Sequence, residues 1–263
     1  MQRGQRDLGH VVVTGASSGI GHGIARAFMT AGNKLTLVAR RRAPMDELAR
    51  EAVGAGVPAL VCEADLADLA QATSWIDEAE AMHGPIEVFV ANAGVQILGP
   101  SLDQSDAKSE AMHNLNFLTP LRQARRVGRA MAARGEGTLV VIASVASFTA
   151  APGLADYSAC KAAVATFFET LRVELAPSGV NVVTVYPGPV KTAMEAAARA
   201  KVQPGLIMRS LPSGTPEELG TLVRAAVRGG DGRVIYPKFY QTSRQFPRLA
   251  QWLTNRFAPP ISS

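Results

Sequence analysis

The sequence predicts an α/β fold, a single Rossmann-type doubly wound domain with a seven-stranded, mostly parallel sheet flanked by helices. Three observations carry that reading. Short Val- and Leu-rich runs alternate with amphipathic stretches along the 263 residues. Several runs are apolar throughout, as expected of a parallel sheet covered on both faces. The first run leads into a glycine-rich turn and then a helix, at Thr14-Gly15-Ala16-Ser17-Ser18-Gly19-Ile20-Gly21.

Strands are predicted at 11–13, 34–39, 58–61, 86–91, 138–143, 180–186 and 233–236. Helices are predicted at 19–31, 44–53, 67–83, 106–134, 157–176 and 216–228. The last of these has a clear start, with Thr215 as cap, Pro216 at the first helical position and acids in the first turn. In such a fold the ligand crevice lies beyond the carboxyl ends of the strands, so motifs there matter most.

Composition excludes several classes. The net charge of +5 is modest and the arginines are scattered. Arg122, Arg125, Arg126 and Arg129 share a helix face and read as a solvated or subunit-facing stripe, so no nucleic-acid partner is expected. Cys62 and Cys160 are too few and too far apart for a disulfide framework or a zinc site, and no metal is expected. The polar residues 1–7 and the short apolar run 8–13 do not make a signal-peptide core or a membrane span, which points to a cytoplasmic setting.

Small residues in the turn let the backbone approach a pyrophosphate, and the helix after it offers free N–H groups and the positive end of its dipole. The turn is not a P-loop, which needs Gly-Lys-Ser/Thr. Gly15, Ser17 and Gly19 also spell the G-x-S-x-G of a serine hydrolase. That reading fails on order, because the elbow would follow the first strand and the last histidine is His113. Arg40, Arg41 and Arg42 directly follow the second strand, with no carboxylate before Asp46. Guanidinium there suits the 2′-phosphate of NADP, which an acid would repel. Asp65, after the third strand, reads as an adenine contact or a helix cap.

Tyr157 and Lys161 stand four apart on one helix face, and Ser144 ends the fifth strand. Around a carbonyl, Ser144 would hold the oxygen while Tyr157 exchanges a proton, its high pKa lowered by the Lys161 ammonium.

These residues resemble the short-chain dehydrogenase/reductase (SDR) family. Its T-G-x-x-x-G-x-G matches Thr14, Gly15, Gly19 and Gly21. Ala91-Asn92-Ala93-Gly94 is similar to its N-N-A-G, with Ala91 replacing the first Asn. Tyr157-Ser158-Ala159-Cys160-Lys161 departs from Y-S-A-S-K only at Cys160, and Ser144 has the family spacing from Tyr157. Pro187-Gly188-Pro189-Val190-Lys191-Thr192 resembles P-G-x-V-x-T. The resemblance implies a tetrad of Asn116, Ser144, Tyr157 and Lys161, in which Asn116 positions a relay water. It implies NADP(H) contacts at Gly15, Ser17, Ser18, Gly19, Ile20, Gly21, Arg40, Arg41, Asp65, Leu66, Asn92, Ala93, Gly94, Tyr157, Lys161, Pro187, Gly188, Val190 and Thr192. The family's other common basic residue is missing, its position held by Ser18. A homodimer or homotetramer is the assembly implied.

Substrate contacts are expected at Gln96 within 95–98, at Phe148 and Leu154, and at Met194, in an apolar segment that continues through Leu206, Ile207, Met208 and Leu211. That composition favours a hydrophobic secondary alcohol or carbonyl compound. The alternative function is a non-catalytic dinucleotide-binding sensor or scaffold. Residues 1–237 form the cofactor-binding and catalytic domain in this reading, and 238–263 a tail. As a helix, the tail puts Phe246, Leu249, Leu253 and Phe257 on one face and Arg244, Arg248, Gln251 and Asn255 on the other. Packing on its own domain, on a second subunit or at the substrate mouth is the preferred account; an anionic membrane surface is the other.

Overall fold

All seven apolar runs are strands in the structure, a computed structural model that describes residues 9–201 and 212–257. In chain order the elements are β1 (His10–Thr14), α1 (Gly19–Met29), β2 (Lys34–Ala39), α2 (Arg42–Gly54), β3 (Ala59–Glu63), α3 (Ile76–His83) and β4 (Ile86–Ala91). They continue as α4 (Asp106–His113), α5 (Thr119–Arg134), β5 (Gly137–Ile142), α6 (Ala155–Leu175), β6 (Val180–Pro187) and α7 (Ala193–Lys201). Last come α8 (Pro216–Gly229), β7 (Arg233–Tyr236), α9 (Gln241–Gln245) and α10 (Pro247–Phe257). The sheet order is β3-β2-β1-β4-β5-β6-β7, and every strand pair is parallel. The order reverses between β1 and β4, so a crevice opens at their carboxyl ends.

Side-chain alternation along β1 builds the two cores. Val11 and Val13 join Ile24, Phe28, Leu48 and Val223 on one face of the sheet. Val12 joins Ile76, Phe89, Val127 and Phe168 on the other. Both faces are therefore dry, which explains strands with no polar alternation.

Two helix expectations are corrected. The helix expected at 67–83 exists only from Ile76. Carbonyls in the preceding segment are satisfied from α5 instead: Thr119 Oγ1 donates to Leu66 O (2.7 Å), Arg122 Nη1 to Leu69 O (2.9 Å) and Gln123 Nε2 to Ala72 O (2.9 Å). Donors some fifty positions away replace the i+4 N–H groups of a helix, and local periodicity cannot register them. The helix expected at 106–134 is interrupted by a π turn at Asn114–Leu118. The arginine stripe is exposed, yet part of it serves its own domain: Arg122 binds Leu69, and Arg126 pairs with Asp77 (2.6 Å) and Glu80 (3.3 Å).

One buried hydroxyl fixes the crevice. Thr14 Oγ1 accepts from the backbone N–H groups of Asn92 (3.0 Å) and Ala93 (3.1 Å) and donates to Val90 O (3.2 Å). Asn92 Nδ2 donates back to Thr14 O (2.8 Å). At the opposite end of β1, His10 is fully buried. Its Nδ1–H donates to Gly84 O (2.8 Å), since a carbonyl can only accept, and Nε2 lies 2.9 Å from Thr36 Oγ1.

Replacing Thr14→Val keeps the shape and strands two buried N–H groups. We expect a loss of roughly 1–3 kcal/mol for each, read by denaturant unfolding. His10 gives a pH dependence. Burial pushes its pKa from 6.5 down to about 4, the Gly84 bond opposing and the charges of His83 and Lys34 adding to the fall. The unfolded chain therefore takes up this proton first. Stability is full above about 6.5 and falls by about 3 kcal/mol as the pH drops to about 4. The variant His10→Asn should flatten that slope in unfolding measured across this range.

Candidate active site

Beyond the ends of β1, β4, β5 and β6 lies a cleft of about 660 Å³. Its floor is the glycine turn. Gly15 has φ +68°, and a Cβ there would lie 2.8 Å from Asn92 Nδ2 and 2.9 Å from the Ala93 Cα. A side chain at Gly21 would run into Asn92 and the Gly15 carbonyl. Both positions need glycine because two backbones meet there. Ser18 precedes α1 without a side-chain cap bond, so the first N–H groups and the dipole of α1 are available to an anion. A bare backbone cradle beneath an uncapped helix start fits a dinucleotide pyrophosphate.

The basic rim is arranged differently from the expectation of two equivalent arginines. Arg41 Nη2 donates to Ser18 Oγ (2.7 Å) and Ser17 Oγ (3.2 Å), lying over the turn. Arg40 also lines the cleft, with its side chain 76% exposed, and among the described residues it approaches Asp65, at 3.9 Å. Arg41 thus carries its charge to Ser18, the position where the sequence lacks a basic residue. Asp65 Oδ1 accepts from Ala67 N (3.1 Å), a turn-capping role with no helix behind it, and buried Leu66 forms the wall beside it.

Ser144, Tyr157 and Lys161 converge on the same cleft. Ser144 Oγ accepts from Ala146 N (3.1 Å) and lies 3.5 Å from Pro187 O. It sits beside the Tyr157 phenol, close enough to draw its pKa down. Lys161 Nζ donates to Ile142 O (2.8 Å) and stands 5.8 Å from the Tyr157 ring centre. Asn116 is buried in the π turn, and both ends of its amide are engaged with Val95: Nδ2 donates to Val95 O (2.8 Å), and Oδ1 accepts from Val95 N (2.9 Å). Its side chain is thus tied to the loop after Gly94.

The protonation states differ from expectation. Burial pushes the Tyr157 phenol up to about 12; the Ser144 hydrogen bond pulls it back, and the charge of Glu195 adds to the rise. Burial likewise pushes Lys161 down to about 8. The phenol therefore stands above its ordinary value, not below it as expected, because burial dominates.

Pro187, Gly188, Val190 and Thr192 form the opposite wall. Gly188 N donates to Tyr236 O (2.7 Å), the Tyr240 ring packs on Gly188, and Val190 bridges to Gly214, where the Tyr236 ring leaves no room for a side chain. Gln96, Leu154 and Met194 line the cleft, along with Gly19, Ile20, Ala93 and Gly94. Phe148 does not. Its ring lies 4.6 Å from that of Tyr186, drawn onto the sheet rather than into the cleft. Leu206, Ile207, Met208 and Leu211 lie outside the described residues. Sequence reasoning missed Glu195, which lines the cleft near Tyr157, pairs with Arg199 (2.7 Å) and donates its backbone N–H to Thr192 Oγ1 (3.2 Å). The T-x-x-E spacing of Thr192 and Glu195 was the available signal.

The family model for short chain dehydrogenases matches residues 9–203. A dehydrogenase/reductase SDR family protein 7-like from Anopheles gambiae is 30% identical over 99% of this chain and 84% of its own length. The oxidoreductase UcpA of Escherichia coli K12 is 36% identical over 72% of each chain. Among solved structures, a short-chain dehydrogenase from Sphingobium yanoikuyae in complex with NADPH superposes with a TM-score of 0.80 at 28% identity, covering 97% of this chain and 98% of that one. With the matched span covering turn, tetrad and wall alike, the chain belongs to the short chain dehydrogenase family of oxidoreductases, acting at CH–OH or carbonyl carbons.

Proposed function

We propose that this protein is an NADP(H)-dependent oxidoreductase acting on a hydrophobic secondary alcohol or carbonyl compound, with Tyr157 as acid/base. The observation that carries the reading is Tyr157 on the cleft wall, beside Ser144 and flanked by Lys161. When bound, the nicotinamide supplies or accepts the hydride. The phenol holds its proton at neutral pH, which suits donation to the oxygen of a carbonyl substrate being reduced. Ser144 holds that oxygen and stabilises its developing charge. Lys161 is anchored to the Ile142 carbonyl and presents its ammonium beneath the ring. Asn116 fixes the loop at Val95, and a relay water at its helix turn belongs to this proposal. A non-catalytic sensor would have no use for a buried proton donor beside an ammonium, so turnover is the favoured reading.

For the cofactor, Arg41 across the Ser17 and Ser18 hydroxyls offers a bidentate partner for a 2′-phosphate, and the Sphingobium relative carries NADPH. Gln96, Leu154 and Met194 supply the substrate wall, with Glu195 and its partner Arg199 at its edge. The buried free thiols of Cys62 and Cys160 fit a reducing, cytoplasmic setting, and a homodimer or homotetramer is the assembly proposed.

A carbonyl and alcohol panel followed at the nicotinamide absorbance, with both cofactors, identifies the substrate class. In it, Tyr157→Phe should bind NADPH as the parent does and lose activity by about a hundredfold or more; retained turnover would refute the acid/base role. Arg41→Ala should raise the KM for NADPH about tenfold or more and leave that for NADH nearly unchanged. An equal effect on both cofactors would remove Arg41 from 2′-phosphate recognition.

A further inference from the structure

Helix α10 is turned inside out relative to a helix packed on its own domain. Its less exposed residues are Ala250, Gln251 and Thr254, whereas Leu249, Trp252 and Leu253, with Phe246 just before the helix, are 44–59% exposed. The side chain of Phe257 lies outside the described residues. A polar hook fixes this orientation: Gln251 Nε2 donates to Ala150 O (3.0 Å) and Gln251 Oε1 accepts from Ala150 N (2.8 Å). The body thus holds the polar edge and leaves the apolar face to something else. Phe239, also half exposed, adds to the apolar surface of the same stretch.

Charge indicates the occupant. From Arg233 onward the sequence carries Lys238, Arg244, Arg248 and Arg256 and no Asp or Glu. Arg244 and Arg248 are exposed beside the apolar face. Aromatic and leucine side chains flanked by arginines match the interface of an anionic bilayer, where the rings sit at headgroup depth and guanidinium meets phosphate. A second copy is disfavoured, since a two-fold contact would set this acid-free stretch against itself. No helix among the described residues is long and apolar enough to cross a membrane, so the contact is peripheral.

We infer that α10 seats the protein on an anionic lipid surface through Phe246, Leu249, Trp252 and Leu253, with Arg244 and Arg248 binding phosphates. The inference stands independently of substrate or cofactor.

The test uses the full chain with vesicles of phosphatidylcholine alone and of phosphatidylcholine mixed with phosphatidylglycerol. The parent should pellet with the mixed vesicles, less so at high salt, and little with phosphatidylcholine alone. Trp252 emission should shift to the blue on binding, against a constant signal from buried Trp75. The double variant Leu249→Gln/Trp252→Gln should lose pelleting severalfold, with unchanged circular dichroism and unchanged turnover in vesicle-free buffer. Arg244→Gln/Arg248→Gln should lose the preference for the anionic vesicles. Absence of parental pelleting, or equal pelleting of parent and apolar variant, overturns the inference. So does an apolar variant that halves the mass in solution without changing vesicle binding, which would assign the face to a second copy.

Discussion

The hydroxyl of Thr14 sits where two strands from distant parts of the chain must end side by side. It satisfies two N–H groups at the end of β4 and one carbonyl within it, so all its hydrogen-bonding capacity is used across a single strand boundary. That boundary is the point where the sheet changes direction, and the cleft exists because the two strand ends diverge there. Asn92 then reaches back over the glycine turn, which explains why Gly15 and Gly21 tolerate no side chain. A motif read as a phosphate cradle is, in packing terms, first a place where two backbones touch.

The chemical end of the cleft follows from the same burial. Desolvation raises the phenol and lowers the ammonium, so the phenol keeps its proton at neutral pH and the ammonium becomes the more acidic of the two. The tie from Lys161 to the carbonyl of Ile142 means that the ammonium is positioned by the end of β5, the strand that also delivers Ser144.

Much of this was legible in the sequence because the signals were local. Short Val- and Leu-rich runs, several apolar throughout, gave all seven strands, and the glycine spacing placed the cradle after the first of them. What escaped depended on partners remote in sequence. Residues 67–75 have helical periodicity, but Arg122 and Gln123 capture carbonyls within them and Thr119 that of Leu66 just before. Arg40 and Arg41 are adjacent and chemically identical, and only the fold shows that one is tied to the turn serines while the other stands at the cleft's rim near Asp65. Phe148 looked like a pocket residue until Tyr186 supplied a ring for it to pack on. The tail's amphipathic pattern was visible, yet which face it turned inward was decided by one glutamine.

The wall that closes the cleft opposite Ser144 has a temporal consequence. Residues 187–192 rest on Gly214, just before α8, and on Tyr236 and Tyr240, from the final strand and the turn after it. During synthesis the ribosome releases every residue of the tetrad and the cradle well before those supports. A nascent chain can therefore assemble its sheet up to β6 and display the reactive side chains while still lacking a rigid wall to hold a reaction partner. The wall is thus finished by the segments that leave the ribosome last.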